Sequence, residues 1–231
     1  MAAKGPRGSG KKPNRGRPDL SGKQPGRRDA DRQTDQRRGM VDSIAGLRII
    51  GGRFRGRKLL YSGDLRTRPM KDRLREAIFN LIGPTVQGSH ALDLFAGTGA
   101  LGLEAVSRGA DRATLIEQHH PTAKLIRQNA ASLDVTDRVE VVPGNAFVWL
   151  RRGLAPVGRR WTVFCSPPYD FFVDRTDEMS ALIATLVETA PVGSVLVVES
   201  DARFDGRILP DAEQWDVREY PPAVVRMFWK K

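Results

Sequence analysis

Residues 164–172, FCSPPYDFF, are the part of the sequence whose residue types and order most clearly suggest chemistry. The run before them is apolar and is typical of a strand, but a strand does not easily carry two consecutive prolines. Proline fixes φ and has no N–H, so the turn Ser166-Pro167-Pro168-Tyr169 presents its carbonyl groups rigidly. A solvated loop has little reason to hold three aromatic residues together. We therefore interpret this stretch as a turn that presents groups to a bound molecule.

A glycine-rich turn, LDLFAGTGALG (92–102), is the second candidate site. Its glycines permit a tight turn and a close approach of a ligand to the backbone. The G-x-G-x-x-G spacing by itself also describes dinucleotide-binding proteins. Asp93, four residues before Gly97, suits an ammonium or a ribose better than a pyrophosphate, and hydride transfer would give the Ser-Pro-Pro-Tyr turn no role. Glu117 ends the next predicted strand, 20 residues after Gly97, and can bind both hydroxyls of a ribose.

Predicted strands and helices alternate along most of the chain, which indicates a doubly wound α/β sheet. The last two strands, WDVREY and AVVRMFWK, are predicted to form a closing antiparallel pair. Before the sheet, residues 47–60 predict a short β-hairpin with Gly51-Gly52 near its turn. Residues 70–82 predict an amphipathic helix that Gly83-Pro84 ends.

Positive charge is concentrated at the start of the chain. The 231 residues have a formal net charge of +11, and residues 1–40 hold twelve Lys/Arg against four Asp/Glu. This segment is rich in Gly and Pro and poor in large apolar residues, so we expect a disordered basic tail over residues 1–45. The remainder, 46–231, is expected to be one domain, with a basic hairpin extension at 46–69 and a Rossmann-like core at 70–231.

Several classes of protein are disfavoured by the composition. Cys165 is the only cysteine, so an intrachain disulfide is impossible. No apolar run approaches the ~20 residues of a membrane span. No metal site is expected, because the histidines are not at metal-ligand spacing. We expect a cytoplasmic, monomeric protein without membrane or metal partners.

The motifs resemble a known family. LDLFAGTGALGLEAVSRGA and LIEQ resemble the S-adenosylmethionine site of class I methyltransferases. Upstream, IIGGRFRGRKL and TRPMKDRLREAIFNLI resemble the ribosomal RNA small subunit methyltransferase D family, which methylates the exocyclic N2 of a guanine in 16S rRNA. The motifs occur in the family's order over roughly residues 47–229, which makes the resemblance specific. It implies a seven-stranded class I fold, S-adenosylmethionine as cofactor, and small-subunit rRNA or an assembling subunit as partner.

The resemblance also implies roles for individual residues. Ser166 Oγ and the Pro167 carbonyl would accept hydrogen bonds from an exocyclic amine, which is a poor nucleophile, and Tyr169 would stack on the flipped base. Close relatives usually have Asp or Asn where this chain has Ser166, so a neutral acceptor replaces a stronger one. The predicted catalytic residues are Ser166, Pro167, Pro168 and Tyr169. The predicted cofactor-binding residues are Asp93, Phe95, Gly97, Thr98, Gly99, Glu117, Gln118, Asn145 and Ala146.

RNA contacts are assigned to two basic segments. In the hairpin, basic residues alternate with apolar ones, so that one face can meet phosphates. In the second segment, Thr67, Arg68 and Pro69 are expected to form a local lid. The predicted RNA-binding residues are Arg53, Arg55, Arg57, Lys58, Arg68 and Arg73.

Two alternatives to guanine-N2 methylation stay open at this point. The Pro-Pro-Tyr chemistry serves adenine N6 in DNA or RNA equally well. A non-catalytic RNA-binding or ribosome-assembly protein that keeps the fold is the other alternative, and Ser166 is its best support. The combination of Asp93, Gly97, Gly99 and Glu117 argues against it, since such a module needs no cofactor pocket.

We predict that deleting residues 1–40 weakens RNA binding and flattens its salt dependence, because each lost phosphate contact lowers the slope of log K against log salt by about 0.7 to 0.9. The measurement is a binding isotherm on 16S rRNA at several salt concentrations for the full and shortened chains. Cofactor binding, as the control, should not change. An unchanged salt slope would contradict phosphate contacts by the tail.

Overall fold

A computed structural model of the protein describes residues 1–3, 5, 46–64, 69–153, 155–156 and 158–231. Contacts divide the chain into residues 1–37 and 38–231, and the described secondary structure lies in the second unit. The predicted tail falls almost wholly outside the described residues, as do Thr67 and Arg68 of the predicted lid.

Strands and helices alternate along the described core, as the sequence predicts. In chain order they are α1 (Asp72–Ile82), β1 (His90–Asp93), α2 (Ala100–Ser107), β2 (Arg112–Glu117), α3 (His120–Ser132), β3 (Val139–Pro143), α4 (Ala146–Arg151), β4 (Trp161–Cys165), α5 (Phe171–Asp174), α6 (Thr176–Thr189), β5 (Val195–Asp201), β6 (Asp216–Tyr220) and β7 (Ala223–Trp229).

The strands form one seven-stranded sheet in the order β3-β2-β1-β4-β5-β7-β6. All pairings from β3 to β5 are parallel, while β7 is antiparallel to both β5 and β6. The predicted α/β class and the closing antiparallel pair are therefore confirmed. The order reverses between β1 and β4, and ligands of open α/β sheets bind beyond the carboxyl ends of the strands at such a reversal.

Both faces of the sheet are buried by helices. Side chains along a strand point alternately to the two faces, so Phe164 of β4 joins the core under α1 to α3, whereas Val163 and Cys165 join the core under α4 to α6. Strands buried on both faces are mostly apolar, and in β4 four of the five residues are apolar and all five are buried. This explains why the apolar run ends abruptly at the Ser-Pro-Pro-Tyr turn, where the strand leaves the core.

The N-terminal extension pairs as a hairpin, but over a shorter length than predicted. Arg48 and Lys58 form an isolated antiparallel bridge, flanked by a hydrogen bond from Leu59 N to the Leu47 carbonyl at 2.9 Å. A 3₁₀ turn at Gly52–Phe54 forms its tip. The chain here follows the helices instead of extending a sheet, because its backbone N–H groups are taken by side chains of α2 and α3.

Glu104 of α2 holds the extension in place. Its side chain is fully buried and accepts hydrogen bonds from Ile50 N and Gly51 N, both at 2.7 Å. Arg108 donates to the same carboxylate at 2.8 Å, and Arg75 of α1 lies 3.8 Å from it. One buried carboxylate thus joins the extension, α1 and α2. Burial lowers the pKa of Arg75, and the nearby Glu104 acts in the opposite direction.

The segment after the Ser-Pro-Pro-Tyr turn is more ordered than the sequence predicts. Phe171 and Phe172 belong to the short helix α5, which was not predicted. Phe172 is 2% exposed and packs against Phe204 with ring centroids 4.4 Å apart. Phe171 packs edge-on to Phe95, with centroids 6.1 Å apart. Both rings therefore pack within the protein, Phe172 fully buried and Phe171 half-buried.

In the parts of the chain that the structure describes, no helix is long and apolar enough to cross a membrane.

We predict that Glu104→Ala lowers the free energy of unfolding by about 3 to 5 kcal/mol, because it leaves the N–H groups of Ile50 and Gly51 without their acceptor and removes one of the two carboxylates beside the buried Arg75. Glu188→Ala, at an exposed position on α6, is the matched control and should change stability by less than about 0.5 kcal/mol. Urea unfolding of both variants and the wild type measures the difference. Equal losses in the two variants would show that Glu104 contributes no specific stabilisation.

Candidate active site

The predicted catalytic and cofactor-binding residues lie at the ends of four neighbouring strands, along one edge of the sheet. The strand order β3-β2-β1-β4 places the segments that follow these strands side by side at the carboxyl edge. Each of the four segments carries a predicted group, listed from one end of the row to the other: Asn145 and Ala146, then Glu117 and Gln118, then Asp93, Phe95, Gly97, Thr98 and Gly99, and finally Ser166, Pro167, Pro168 and Tyr169. The structure therefore brings together residues that span more than 70 positions of sequence.

The glycine turn follows β1 and requires the conformational freedom of glycine. Gly97 and Gly99 have φ values of +52° and +75°, in the left-handed region that other residues rarely adopt. Gly102 meets a different need, since a Cβ there would lie 2.7 Å from Leu115 Cγ. Glycine at this position lets α2 pack closely on β2, so that the start of the helix stands directly after the turn.

Asp93 is the buried acid of the site. It is 1% exposed, and its Oδ2 accepts a hydrogen bond from Gly102 N at 3.0 Å. Its Oδ1 is buried and has no hydrogen-bond partner in the described structure. Burial raises the pKa of Asp93 to about 7, and the nearby Glu117 contributes in the same direction. The turn thus contains an acceptor that lacks a donor.

Glu117 is held by the glycine turn itself. Its carboxylate accepts hydrogen bonds from Gly97 N at 2.8 Å and from His119 N at 2.7 Å. These two bonds fix the carboxylate beside the turn. A carboxylate oxygen has two lone pairs, so each oxygen keeps one for a ligand hydroxyl.

Asn145 is the N-cap of α4. Its Oδ1 accepts hydrogen bonds from Phe147 N at 2.9 Å and Val148 N at 3.2 Å. The side-chain oxygen is thus bonded to the first turn of the helix, as for many N-cap residues. The Nδ2 amide is the group that remains available for a ligand. The neighbouring Ala146 is buried in the first turn of α4, and Gln118 is exposed.

Two of the four carbonyls of the Ser-Pro-Pro-Tyr turn accept backbone hydrogen bonds. The Pro168 carbonyl accepts from Phe171 N at 2.9 Å and the Tyr169 carbonyl from Phe172 N at 3.1 Å. No backbone hydrogen bond to the Pro167 carbonyl occurs within the described residues. Ser166 and Tyr169 are half-buried and Pro168 is exposed, so the turn reaches solvent at the carboxyl edge.

A buried carboxylate of β5 accepts a hydrogen bond from the tyrosine hydroxyl of this turn. Tyr169 donates to Glu199 Oε1 at 2.7 Å, and the pairing of Cys165 with Val198 places Ser166 and Glu199 at neighbouring positions of the two strands. Glu199 is not singled out in the sequence analysis and lies near the end of the apolar run GSVLVVES at residues 193–200. The feature that could have indicated it is an acidic residue near the end of an apolar strand, since such a residue seldom lies in a buried strand without a role.

The predicted RNA-binding residues lie elsewhere. Arg53, Arg55, Arg57 and Lys58 are exposed on the hairpin. Phe54 N bonds to Ser107 Oγ at 2.9 Å and Arg57 donates to the Ser132 carbonyl, so the hairpin tip lies at the C-terminal ends of α2 and α3. Because α2 begins at the glycine turn, its eight residues separate the tip from the turn by about 12 Å.

The second basic segment is described only in part. Arg73 is exposed in the first turn of α1, and Arg68 lies outside the described residues. As for metals, no cluster of three or more His, Cys, Asp or Glu side chains that could hold an ion occurs among the residues the structure describes.

One family model matches most of the chain. The family model described as "Conserved hypothetical protein 95" matches residues 47–226. The ribosomal RNA small subunit methyltransferase D of Escherichia coli (strain K12) is 42% identical over 123 residues, which are 53% of this chain and 60% of that protein. The protein of the same name from Haemophilus influenzae is 35% identical over 128 residues, 54% of this chain and 65% of that protein.

Solved structures agree with the fold. The structure of yhhF from Escherichia coli is 32% identical, with a TM-score of 0.64, and the match covers 80% of this chain and 98% of that one. An RNA methyltransferase from Salinibacter ruber in complex with S-adenosyl-L-homocysteine shares the fold, with a TM-score of 0.52 at 22% identity, over 70% of this chain and 92% of that one. The chain belongs to the ribosomal RNA small subunit methyltransferase D family and has the class I methyltransferase fold.

Proposed function

We propose that this protein transfers a methyl group from S-adenosylmethionine to the exocyclic N2 of a guanine in small-subunit ribosomal RNA. The observation that carries the proposal is the meeting of the glycine turn and the Ser-Pro-Pro-Tyr turn where the strand order reverses. The register places Asp93 beside Phe164, two residues before Ser166. Family membership supports the choice of ribosomal RNA, and the relatives' names give the small subunit.

The residues present fit the cofactor. Asp93 Oδ1, buried and without a donor, matches a cationic group. The Glu117 carboxylate is oriented for a pair of hydroxyls, and the Asn145 amide is free to bond a ring nitrogen. Phe95 and Phe147 stand edge-on, with centroids 5.8 Å apart, and supply an apolar wall. S-adenosylmethionine, when bound, supplies an activated methyl group on a sulfonium.

The protein's own contribution is to position the amine. An exocyclic base amine is a weak nucleophile because its lone pair is delocalised into the ring. Ser166 Oγ and the Pro167 carbonyl accept its two N–H groups, which favours a tetrahedral nitrogen with its lone pair directed at the methyl group. Tyr169 stacks on the base, a contact worth about 1 to 3 kcal/mol. Because the base must leave its helix to reach this turn, the enzyme acts on a flipped nucleotide.

The test of the reaction uses the full chain, labelled S-adenosylmethionine, and both free 16S rRNA and small subunits that lack base methylation. Digestion and mass analysis locate the label. We expect it on guanine N2, with Ser166→Ala lowering kcat roughly tenfold to hundredfold because one positioned hydrogen-bonding group is lost. Ser132→Ala, at the far end of α3, is the matched control. Label on adenine N6 would instead support the adenine methyltransferase alternative.

Binding of the cofactor product should depend on pH through Asp93. Its pKa of about 7 in the ligand-free protein means that a proton must leave before a cation binds. We expect the Kd of S-adenosylhomocysteine to rise up to roughly tenfold per pH unit as the pH falls from 7 to 5.5. Asp93→Asn should bind weakly and with a flat profile, while Asp137→Asn, an exposed control, should follow the wild type.

The same titration predicts the stability of the ligand-free protein. Burial raises the folded-state pKa of Asp93 from 3.8 to about 7, so the native state holds more protons between these values. Its contribution to stability is therefore lost as the pH rises through this range. Asp93→Asn should melt at a higher temperature than the wild type at pH 8, and the difference should shrink toward pH 4. A constant difference would contradict the raised pKa.

A further inference from the structure

A groove of about 350 Å³ lies where β5, β6 and β7 meet at one edge of the sheet. It is lined by residues 201–203, Glu219 and residues 221–224. The register forms it, since Asp201 at the end of β5 pairs with Ala223, and Ala223 pairs in turn with Tyr220 at the end of β6. Its volume lies within the range of sites for small ligands, about 300 to 1,000 Å³. We call it the edge groove.

The edge groove lies on the same edge of the sheet as the candidate active site. β5 is parallel to β4 and ends at this edge, and the antiparallel pairings make β7 begin and β6 end there. Along the edge, β3, β2 and β1 carry the predicted cofactor residues, β4 carries the Ser-Pro-Pro-Tyr turn, and β5, β7 and β6 form the groove. Neighbouring strands are about 4.8 Å apart. The groove therefore begins about one strand spacing from the turn, on the side away from the cofactor residues.

Arg203 joins the edge groove to the Ser-Pro-Pro-Tyr turn. Its Nη2 group donates to Oδ1 of Asp170, the residue that follows Tyr169, at 2.9 Å. Its Nε group donates to Oδ2 of Asp201 at 2.8 Å, and its backbone N–H donates to Oδ1 of the same carboxylate at 3.1 Å. One guanidinium thus borders both features, and the turn and the groove form a continuous surface.

The charge of the edge groove differs from that of the whole chain. The chain has a net charge of +11, but the groove has two carboxylates, Asp201 and Glu219, and one guanidinium, Arg203. Asp201 pairs with Arg203. Within the part of the chain that the structure describes, the Glu219 carboxylate forms no ion pair or hydrogen bond. A phosphate is an anion and gains nothing from this excess of carboxylates, whereas the N–H groups of a base find acceptors there.

The remaining surface of the edge groove is apolar. Pro221 and Pro222 are exposed, and Ala223 and Val224 are buried beneath them. Proteins that bind an unpaired base contact its face with apolar or aromatic side chains and bond its edge with polar groups. The groove supplies both kinds of group, a proline surface for the face and a carboxylate for the edge.

We propose that the edge groove binds the base of a nucleotide adjacent to the flipped guanosine in the substrate RNA. The face of that base lies on Pro221 and Pro222, and an amino group of the base donates to Glu219. The proposal rests on the proposed function, since it takes the guanosine to be at the Ser-Pro-Pro-Tyr turn. The RNA strand then enters from the β5 side, because the cofactor residues occupy the other side. The groove adds recognition of a base to the phosphate contacts predicted for the hairpin.

The first test is Glu219→Gln with the shortest 16S rRNA fragment that the wild type methylates, in which the two nucleotides flanking the methylated guanosine are randomised. Sequencing of the methylated products gives the relative kcat/KM for each flanking base. We expect the wild type to favour a base with an amino group over uracil at one of these positions by at least about fivefold, as for one specific contact between a carboxylate and a base. Glu219→Gln should lose this preference, and Glu188→Gln, at an exposed position on α6, should keep it.

Two results of this experiment would overturn the proposal and leave the proposed function intact, because methylation itself is measured in the same reaction. One is the absence of a flanking preference in the wild type, or an equal preference in Glu219→Gln. The other is tighter RNA binding by Glu219→Gln with an unchanged base preference, which would show that a phosphate lies in the groove.

The second test does not depend on methyl transfer. The isotope-labelled full chain, saturated with S-adenosylhomocysteine to keep mononucleotides from the cofactor residues, is titrated with cytidine or uridine 5′-monophosphate at millimolar concentration. We expect cytidine monophosphate to shift the amide NMR signals of Ala202 and Ala223 more than uridine monophosphate does. Ala202→Trp fills the groove and should abolish these shifts, while Ala131→Trp, on α3, should not. Both positions are exposed, so both variants should keep the melting temperature of the wild type.

The outcome of this titration is independent of whether a methylated RNA is found. Shifts at the groove that disappear in Ala202→Trp would support the site even if the protein methylated no ribosomal RNA. The absence of shifts at Ala202 and Ala223, or shifts that persist in Ala202→Trp, would overturn the proposal even if guanine N2 were methylated.

Discussion

The reversal of strand order between β1 and β4 is the constraint on which the site depends. Parallel strands that diverge in order leave a crevice at their carboxyl ends, because the connections on the two sides go to opposite faces of the sheet. The glycine turn after β1 and the Ser-Pro-Pro-Tyr turn after β4 flank that crevice. One turn can therefore hold a methyl donor while the other holds an acceptor. No loop between them is needed to bring the two reactants together.

Two buried carboxylates have different roles around this arrangement. Glu104 is compensated by Arg108 and Arg75 and by two backbone N–H groups, so it fastens the N-terminal extension to α1 and α2. Glu199 accepts a hydrogen bond from the Tyr169 hydroxyl and forms no ion pair among the described residues, and burial raises its pKa. Compensation distinguishes the two: the paired carboxylate of Glu104 holds three elements together, whereas Glu199 lies without a cation beside the turn that follows β4.

The extension and the candidate site lie at opposite ends of α2. The hairpin tip, with its exposed basic residues, lies at the opposite end of α2 from the glycine turn. A phosphate bound there would lie about one helix length, roughly 12 Å, from the turn. The distance suits an RNA that crosses the domain while one nucleotide enters the crevice.

The sequence alone determined the α/β class, the antiparallel closing pair and the residues of both turns, because strand and helix periodicity, glycine spacing and consecutive prolines are local signals. Only the tertiary structure decided which of these groups meet. Glu199 is 30 residues from Tyr169, and Glu104 is 53 residues from Gly51, and both contacts follow from strand order and helix docking. No periodicity in the sequence reports such contacts. A glutamate in an apolar strand or helix shows that a partner must exist, but the fold selects the partner and thereby the role.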